Sequence, residues 1–105
     1  MKIAITSTGD SLNSTIDQRF GRCAFFAVYD TDSKSTEFIV NPNKDGQGGV
    51  GPASVQLIAS KNVTKVISGE FGAKVKPLFD SLNIQMVFVH GQEKTISDII
   101  EMFNQ

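Results

Sequence analysis

Residues 46–52 read Gly46-Gln47-Gly48-Gly49-Val50-Gly51-Pro52, and they mark where the chain changes character. Glycines let successive backbone N–H groups turn toward one side, and Pro52 suits the first position of a helix, where a missing N–H costs nothing. The segment therefore predicts a helix from Pro52 to about Lys61, with Ala53, Leu57 and Ile58 inward. Upstream, Lys2–Ser7 alternates and reads as a strand, with Ile3 and Ile5 on one face. Ala24–Tyr29 and Thr36–Val40 read as two further strands, and Asp30-Thr31-Asp32-Ser33 between them supplies a hairpin turn. Downstream, Thr64–Ser68 and Ile84–Val89 read as strands separated by a helix over Gly72–Leu82. That helix carries Val75, Leu78, Phe79 and Leu82 at helical spacing, and Pro77 either bends it or marks a late start. Thr95–Phe103 reads as a last helix on Ile96, Ile99, Ile100 and Phe103, with Thr95 and Asp98 resembling a capping box. The order β-β-β-α-β-α-β-α is an α/β pattern with an antiparallel hairpin in front, and the glycine-rich segment is its turning point.

Direction can be counted through this order. If the first strand points up, four loops share the top edge: Thr8–Arg22, Asn41–Gly51, Gly69–Gly72 and His90–Lys94. Ligands of open α/β sheets bind beyond the carboxyl ends of parallel strands, so a site is expected there. The glycine-rich segment has two readings: an anion-binding nest at a helix N-terminus, or a connection that only caps the helix. It is not a Walker loop, since no Lys-Ser/Thr pair follows, and its spacing is not that of a dinucleotide fold. In Asp17-Gln18-Arg19-Phe20-Gly21-Arg22-Cys23, Arg19 and Arg22 could clamp an anion, or one of them could hold the loop through Asp17 or Asp30. The expectation is a division of labour, one arginine structural and one facing ligand, with Phe20 a core plug. Cys23 is either a small buried hydrophobe or a ligand. His90 is either a surface residue or a donor at the same edge. Glu70, between Gly69 and Gly72, is either solvated or part of the edge.

Counting excludes several functions. The chain has 105 residues, consistent with a single domain over residues 1–105. Ten Lys and Arg against eleven Asp and Glu leave a net charge of −1, which argues against a general nucleic-acid binder. One Cys and one His cannot form an internal disulfide, a closed zinc site or an iron–sulfur centre on four thiolates. No apolar run approaches the ~20 residues of a membrane-spanning helix. The start, Met1-Lys2-Ile3-Ala4-Ile5, alternates like a strand rather than a signal peptide, so a cytoplasmic protein is expected. No Ser/His/Asp grouping is supported by spacing, and the strands Lys2–Ser7 and Thr64–Ser68 carry no carboxylate for paired metal ions. No catalytic residue is assigned.

Asp17-Gln18-Arg19-Phe20-Gly21-Arg22, Val40-Asn41-Pro42, Gly48-Gly49-Val50-Gly51-Pro52-Ala53 and Val66-Ile67-Ser68-Gly69-Glu70-Phe71-Gly72, in this order and spacing, resemble the dinitrogenase iron–molybdenum cofactor biosynthesis family. This is the NifX type, found also as the carboxyl-terminal domain of NifB-type proteins, and the likeness covers nearly the whole chain. It implies a three-layer α/β/α sandwich on a five-stranded mixed sheet, similar to ribonuclease H but without nuclease activity. It implies a non-enzymatic role in binding or carrying an iron–sulfur or iron–molybdenum cofactor precursor. The cofactor-binding residues it implies are Arg19, Gly21, Arg22, Asn41, Gly48, Gly49, Gly51, Gly69 and Gly72. Many members carry a His before the paired glycines. This chain has Lys44-Asp45-Gly46-Gln47 there, which leaves Cys23 and His90 as the only soft or imidazole donors.

Three functions follow as expectations. The first is a cluster carrier that exchanges cargo with metal-cluster donor or acceptor proteins. The second is a metal-free module for a small anion or phosphorylated metabolite, using the same glycines and arginines. The third is a protein–protein module, for example a homodimer packing on Phe71 or Met102, which would also bring two Cys23 residues into one site. No membrane or nucleic-acid partner is expected.

Overall fold

The computed structural model describes residues 1–90 and 93–104. Its strands are β1 (Lys2–Ser7), β2 (Phe25–Asp30), β3 (Ser35–Val40), β4 (Lys65–Ser68) and β5 (Gln85–Phe88). Its helices are α1 (Val50–Ala59), α2 (Lys76–Ser81) and α3 (Ile96–Met102). One sheet runs in the order β3-β2-β1-β4-β5. β2 is antiparallel to both neighbours, with Ile5 opposite Ala27 and Ala27 opposite Phe38. β1, β4 and β5 are parallel, with Ile5 beside Ile67 and Ile67 beside Val87. This is the expected mixed sheet in ribonuclease H-like order, and the carboxyl ends of β1, β4 and β5 share one edge.

The two-residue period of the strands builds two cores. Ala4, Phe26, Val28 and Val66 face Val55 and Ile58 of α1 and Phe79 of α2. Ile3, Ile5, Ala27, Tyr29 and Ile67 face Ile96, Ile99 and Ile100 of α3. Three layers result, with α1 and α2 on one face and α3 on the other. Thr95 caps α3 as expected: its side chain accepts from the Asp98 N–H at 3.1 Å, and its own N–H donates to Asp98 Oδ2 at 3.0 Å.

Two helices differ from the sequence reading. α1 begins at Val50 rather than Pro52, because Gly49 takes a left-handed conformation (φ 67°) that turns the chain into the helix two residues earlier. Its fully buried residues are Ser54, Val55 and Ile58, whereas Ala53 and Leu57 are only half-buried. α2 begins at Lys76 rather than Gly72, and Pro77 lies in its first turn. Pro77 therefore marks a late start and not a bend, since its ring tolerates only the first turn. The helix then ends at Ser81, so Leu82 lies past its last turn and is 41% exposed instead of packed.

The first loop is long but anchored. Thr6 Oγ1 donates to Asp17 O at 2.7 Å, and the Asp17 N–H donates to Thr6 O at 2.9 Å. Ile16 plugs the α3 face and Phe20 the α1–α2 face. The Ile16 N–H donates to Lys94 O, and Thr15 bridges Thr95, so the loop is also pinned to the start of α3. Of the fourth edge loop, His90–Lys94, Gly91 and Gln92 lie outside the described residues.

Candidate functional site

Three of the four edge loops meet in one cleft. The first and third are stitched as a short parallel bridge between Arg19 and Glu70, with the Phe20 N–H donating to Glu70 O at 3.2 Å. Ser68 Oγ, at the end of β4, donates to the same carbonyl at 3.1 Å. Gly69 permits this seam: a Cβ there would lie 2.9 Å from Gln18 Cα and would overlap the Gln18 side chain. The first and second loops touch at Gly21 and Gly51, where a Cβ on Gly21 would stand 3.2 Å from the Gly51 nitrogen.

Arg22 and Asn41 reinforce that second contact. Arg22 Nη1 donates to Gly46 O at 2.7 Å and to Lys44 O at 3.2 Å, so this guanidinium closes the glycine-rich loop. The Asn41 carboxamide is buried and donates to Gly21 O at 3.2 Å and Cys23 O at 2.9 Å, while its oxygen accepts from the Asn43 N–H at 3.1 Å. Asn41 thus lies under the loops, not on the cleft wall. Arg19 is different. Its side chain is 60% exposed, and its Nε stands 3.7 Å from Asp17 Oδ1, a contact worth little at a wet surface. Arg22 therefore ties the loops through backbone carbonyls rather than through Asp17 or Asp30, and Arg19 is the more exposed cation.

The cleft has two joined compartments. One, of about 250 Å³, is lined by Arg19, Phe20, Glu70 and Phe71 among others. The second, of about 460 Å³, is lined by Gly48, Gly49, Pro52, Ala73 and Lys74 among others. Arg22, Val50, Gly51, Gly72 and Val75 line both. Among the described residues, three cationic side chains, Arg19, Arg22 and Lys74, line the cleft with one carboxylate, Glu70, on a molecule whose net charge is −1. The N-terminus of α1 opens here without an acidic residue in its first turn or a side-chain cap. Among the described residues, the N–H groups of Val50 and Gly51 have no partner, and Pro52 has none to offer. Anions are favoured at such a helix end.

The glycines of the cleft differ in what requires them, and Gly49 is required by its left-handed backbone. Gly21, Gly51 and Gly69 are needed for close packing within the protein. Gly48 and Gly72 are not: a Cβ on either would meet nothing within 4 Å among the described residues, and neither has positive φ. A methyl there would stand in open space beside the other residues that line the cleft.

Cys23 and His90 are not brought together on this wall. Cys23 is fully buried, and its Sγ–H donates to Phe20 O at 3.3 Å. Burial, and then the charge of Asp17, push its thiol up to about 12. His90 is exposed and does not line the cleft. Among the described residues, no three His, Cys, Asp or Glu side chains gather as a metal-binding group. Sequence reasoning missed Lys74, which belongs to no motif, and Thr6 and Ser68, whose hydroxyls hook the loops. Their polarity at the carboxyl ends of apolar strands was the available signal.

A mixed sheet in this order, crowned by a cation-lined cleft of glycine-rich loops, defines an α/β protein whose parallel strands β1 and β4 carry no carboxylate. The chain belongs to the dinitrogenase iron–molybdenum cofactor family, whose model matches residues 1–105. That family handles a cofactor and is not a known catalytic one. Among solved structures, the apo form of the orange protein from Desulfovibrio gigas is 25% identical with a TM-score of 0.90, over 98% of this chain and 86% of that one. A protein from Thermotoga provisionally named NifB is 30% identical with a TM-score of 0.83, over 98% and 86%. A protein from Methanocaldococcus jannaschii, 23% identical with a TM-score of 0.63 over 97% and 89%, shares the fold. No functionally curated protein matches the chain. No helix among the described residues is long and apolar enough to cross a membrane.

Proposed function

We propose that this chain is a non-enzymatic binder and carrier of an iron–sulfur or iron–molybdenum cofactor precursor, held in the three-loop cleft. The observation that carries this reading is the pair Gly48 and Gly72, which line the cleft, face open space and are not needed as glycines by the fold. Family membership supplies the class of cargo. The cleft suits a large anion whose charge is spread over many atoms: Arg19, Arg22 and Lys74 supply charge, the α1 N-terminus supplies N–H donors, and Val50, Phe71 and Val75 supply apolar walls. Arg22 and Gly51 contribute to both compartments, so one ligand can span them.

The holding is through charge and hydrogen bonds rather than thiolate ligation by a single chain. Cys23 is protonated and enclosed in this state. A hold of that kind releases cargo readily, which suits exchange with donor and acceptor proteins. A dimer would be needed for two Cys23 residues to act on one cluster. The absence of a metal-binding group among the described residues also favours a second reading, a metal-free site for a small anion.

Metal and acid-labile sulfide analysis of protein purified without oxygen separates the two. The carrier reading expects metal and sulfide in a fixed ratio. Protein free of both, whose thermal midpoint rises with phosphate but not with a synthetic iron–sulfur cluster, would establish the second.

A further inference from the structure

We infer that Asn41 is a positioning residue that sets the width of the cleft without touching the ligand. The inference rests on the cleft being the binding site, and it reassigns a residue that the sequence places among the ligand contacts. Every hydrogen-bonding end of the Asn41 carboxamide is turned inward. Its Nδ2 group donates to the carbonyls of Gly21 and Cys23, and its Oδ1 accepts from the Asn43 N–H. Its backbone is committed too: the N–H donates to Ala24 O at 3.0 Å, and the carbonyl accepts from the Lys44 N–H at 3.4 Å. One buried side chain therefore joins the end of the arginine loop to the beginning of the glycine-rich loop.

The consequence reaches the cleft through Gly21. Its carbonyl also accepts from Ser54 Oγ of α1 at 3.5 Å, and a Cβ on it would stand 3.3 Å from the Gly51 α-carbon. Asn41 thus fixes Gly21 on the first turn of α1, where the two compartments join. Arg22, the next residue, then reaches Gly46 O and Lys44 O across the same gap. Without the carboxamide, Gly21 keeps one weak hydrogen bond to α1, and the part-buried carbonyl of Gly21 and the buried carbonyl of Cys23 each lose a donor. Leaving buried acceptors unmade is costly, and the local remedy is for the loops to part. Parting also uncovers Cys23, whose sulfur lies 3.8 Å from Asn41 Nδ2. The thiol is therefore a built-in reporter of the latch.

Asn41→Ala tests this, with Ile99→Val in the opposite core as a control for general loss of stability. Reaction of Cys23 with an aromatic disulfide reagent is followed well below each thermal midpoint. Asn41→Ala should react about tenfold faster than the wild type, the factor for losing roughly one net hydrogen bond. Ile99→Val should react at the wild-type rate. Affinity for a synthetic iron–sulfur cluster should fall in Asn41→Ala alone. Equal thiol rates in the two variants would overturn the inference. If Asn41→Ala does not fold, exchange of the side-chain amide protons in the wild-type protein decides. Asn41 should exchange far more slowly than Asn13, and equal rates would overturn the latch. A wild type that takes up no cluster refutes the carrier reading, whereas the thiol and exchange measurements still judge Asn41.

Discussion

Cys23 illustrates how one buried atom reports on its surroundings. Loss of water around the thiol, and then the Asp17 carboxylate, raise its pKa from 9.0 to about 12, while the Asn41 hydrogen bond works the other way. The unfolded chain ionises this thiol near its ordinary value, so the folded state binds the extra proton at alkaline pH. Stability from this source is full below pH 9 and declines as pH rises toward 12, at about 1.4 kcal/mol per pH unit. Urea unfolding at pH 8 and 10 should show the decline in the wild type and a flatter profile in Cys23→Ala. At the same scale, Gly48→Ala and Gly72→Ala should fold as well as the wild type or better. Neither site has a steric conflict, and alanine reduces the freedom of the unfolded chain by about 0.4–1 kcal/mol. Both should nonetheless weaken ligand binding, an opposition of effects that thermal melts and titrations would reveal together.

At the scale of elements, the loops are held by contacts of few atoms. Gly69→Ala forces a methyl into Gln18 and should cost about 1–3 kcal/mol, or else part the first and third loops. Chemical denaturation measures the first outcome, and amide shifts at Phe20 and Glu70 measure the second. The cap of α3 is a separate unit. Thr95→Ala should cost about 1 kcal/mol by denaturation. The Thr95 backbone N–H, and then its hydroxyl, hold the Asp98 carboxyl below the usual range. That contribution is present above the ordinary carboxylate pKa and is lost as pH falls through the lowered value.

How much was legible depended on whether the information was local. The alternation of Lys2–Ser7, the aromatic run Ala24–Tyr29 and the helical spacing of Ile96, Ile99 and Ile100 carried the fold, because each is local: successive strand residues face one core and then the other, and the helical triad faces one core. Leu82 kept the helical spacing but lost its meaning, because Pro77 delays the start of α2 and the helix ends before reaching it. The edge loops were legible as neighbours, since strand direction can be counted. Their internal contacts were not. Asn41 looked like a ligand contact because nothing in the sequence shows which way its carboxamide points. Lys74 went unnoticed because its place depends on Gly72 and Ala73 rounding the mouth of the cleft.

At the scale of the whole molecule, the chain carries a net charge of −1, yet among the described residues three cations and one carboxylate line its cleft. Binding of an anion should therefore weaken as ionic strength rises, because salt screens such attraction within about 10 Å at 0.1 M. The same titration at two salt concentrations measures it. The central claim is that this cleft holds a cofactor precursor, and anaerobic titration with a synthetic iron–sulfur cluster anion, followed by visible absorbance, tests it most directly. The account predicts saturable uptake by the wild type and markedly weaker uptake by Gly72→Ala at undiminished stability. Uptake by Gly72→Ala equal to that of the wild type, or none by either, would contradict it.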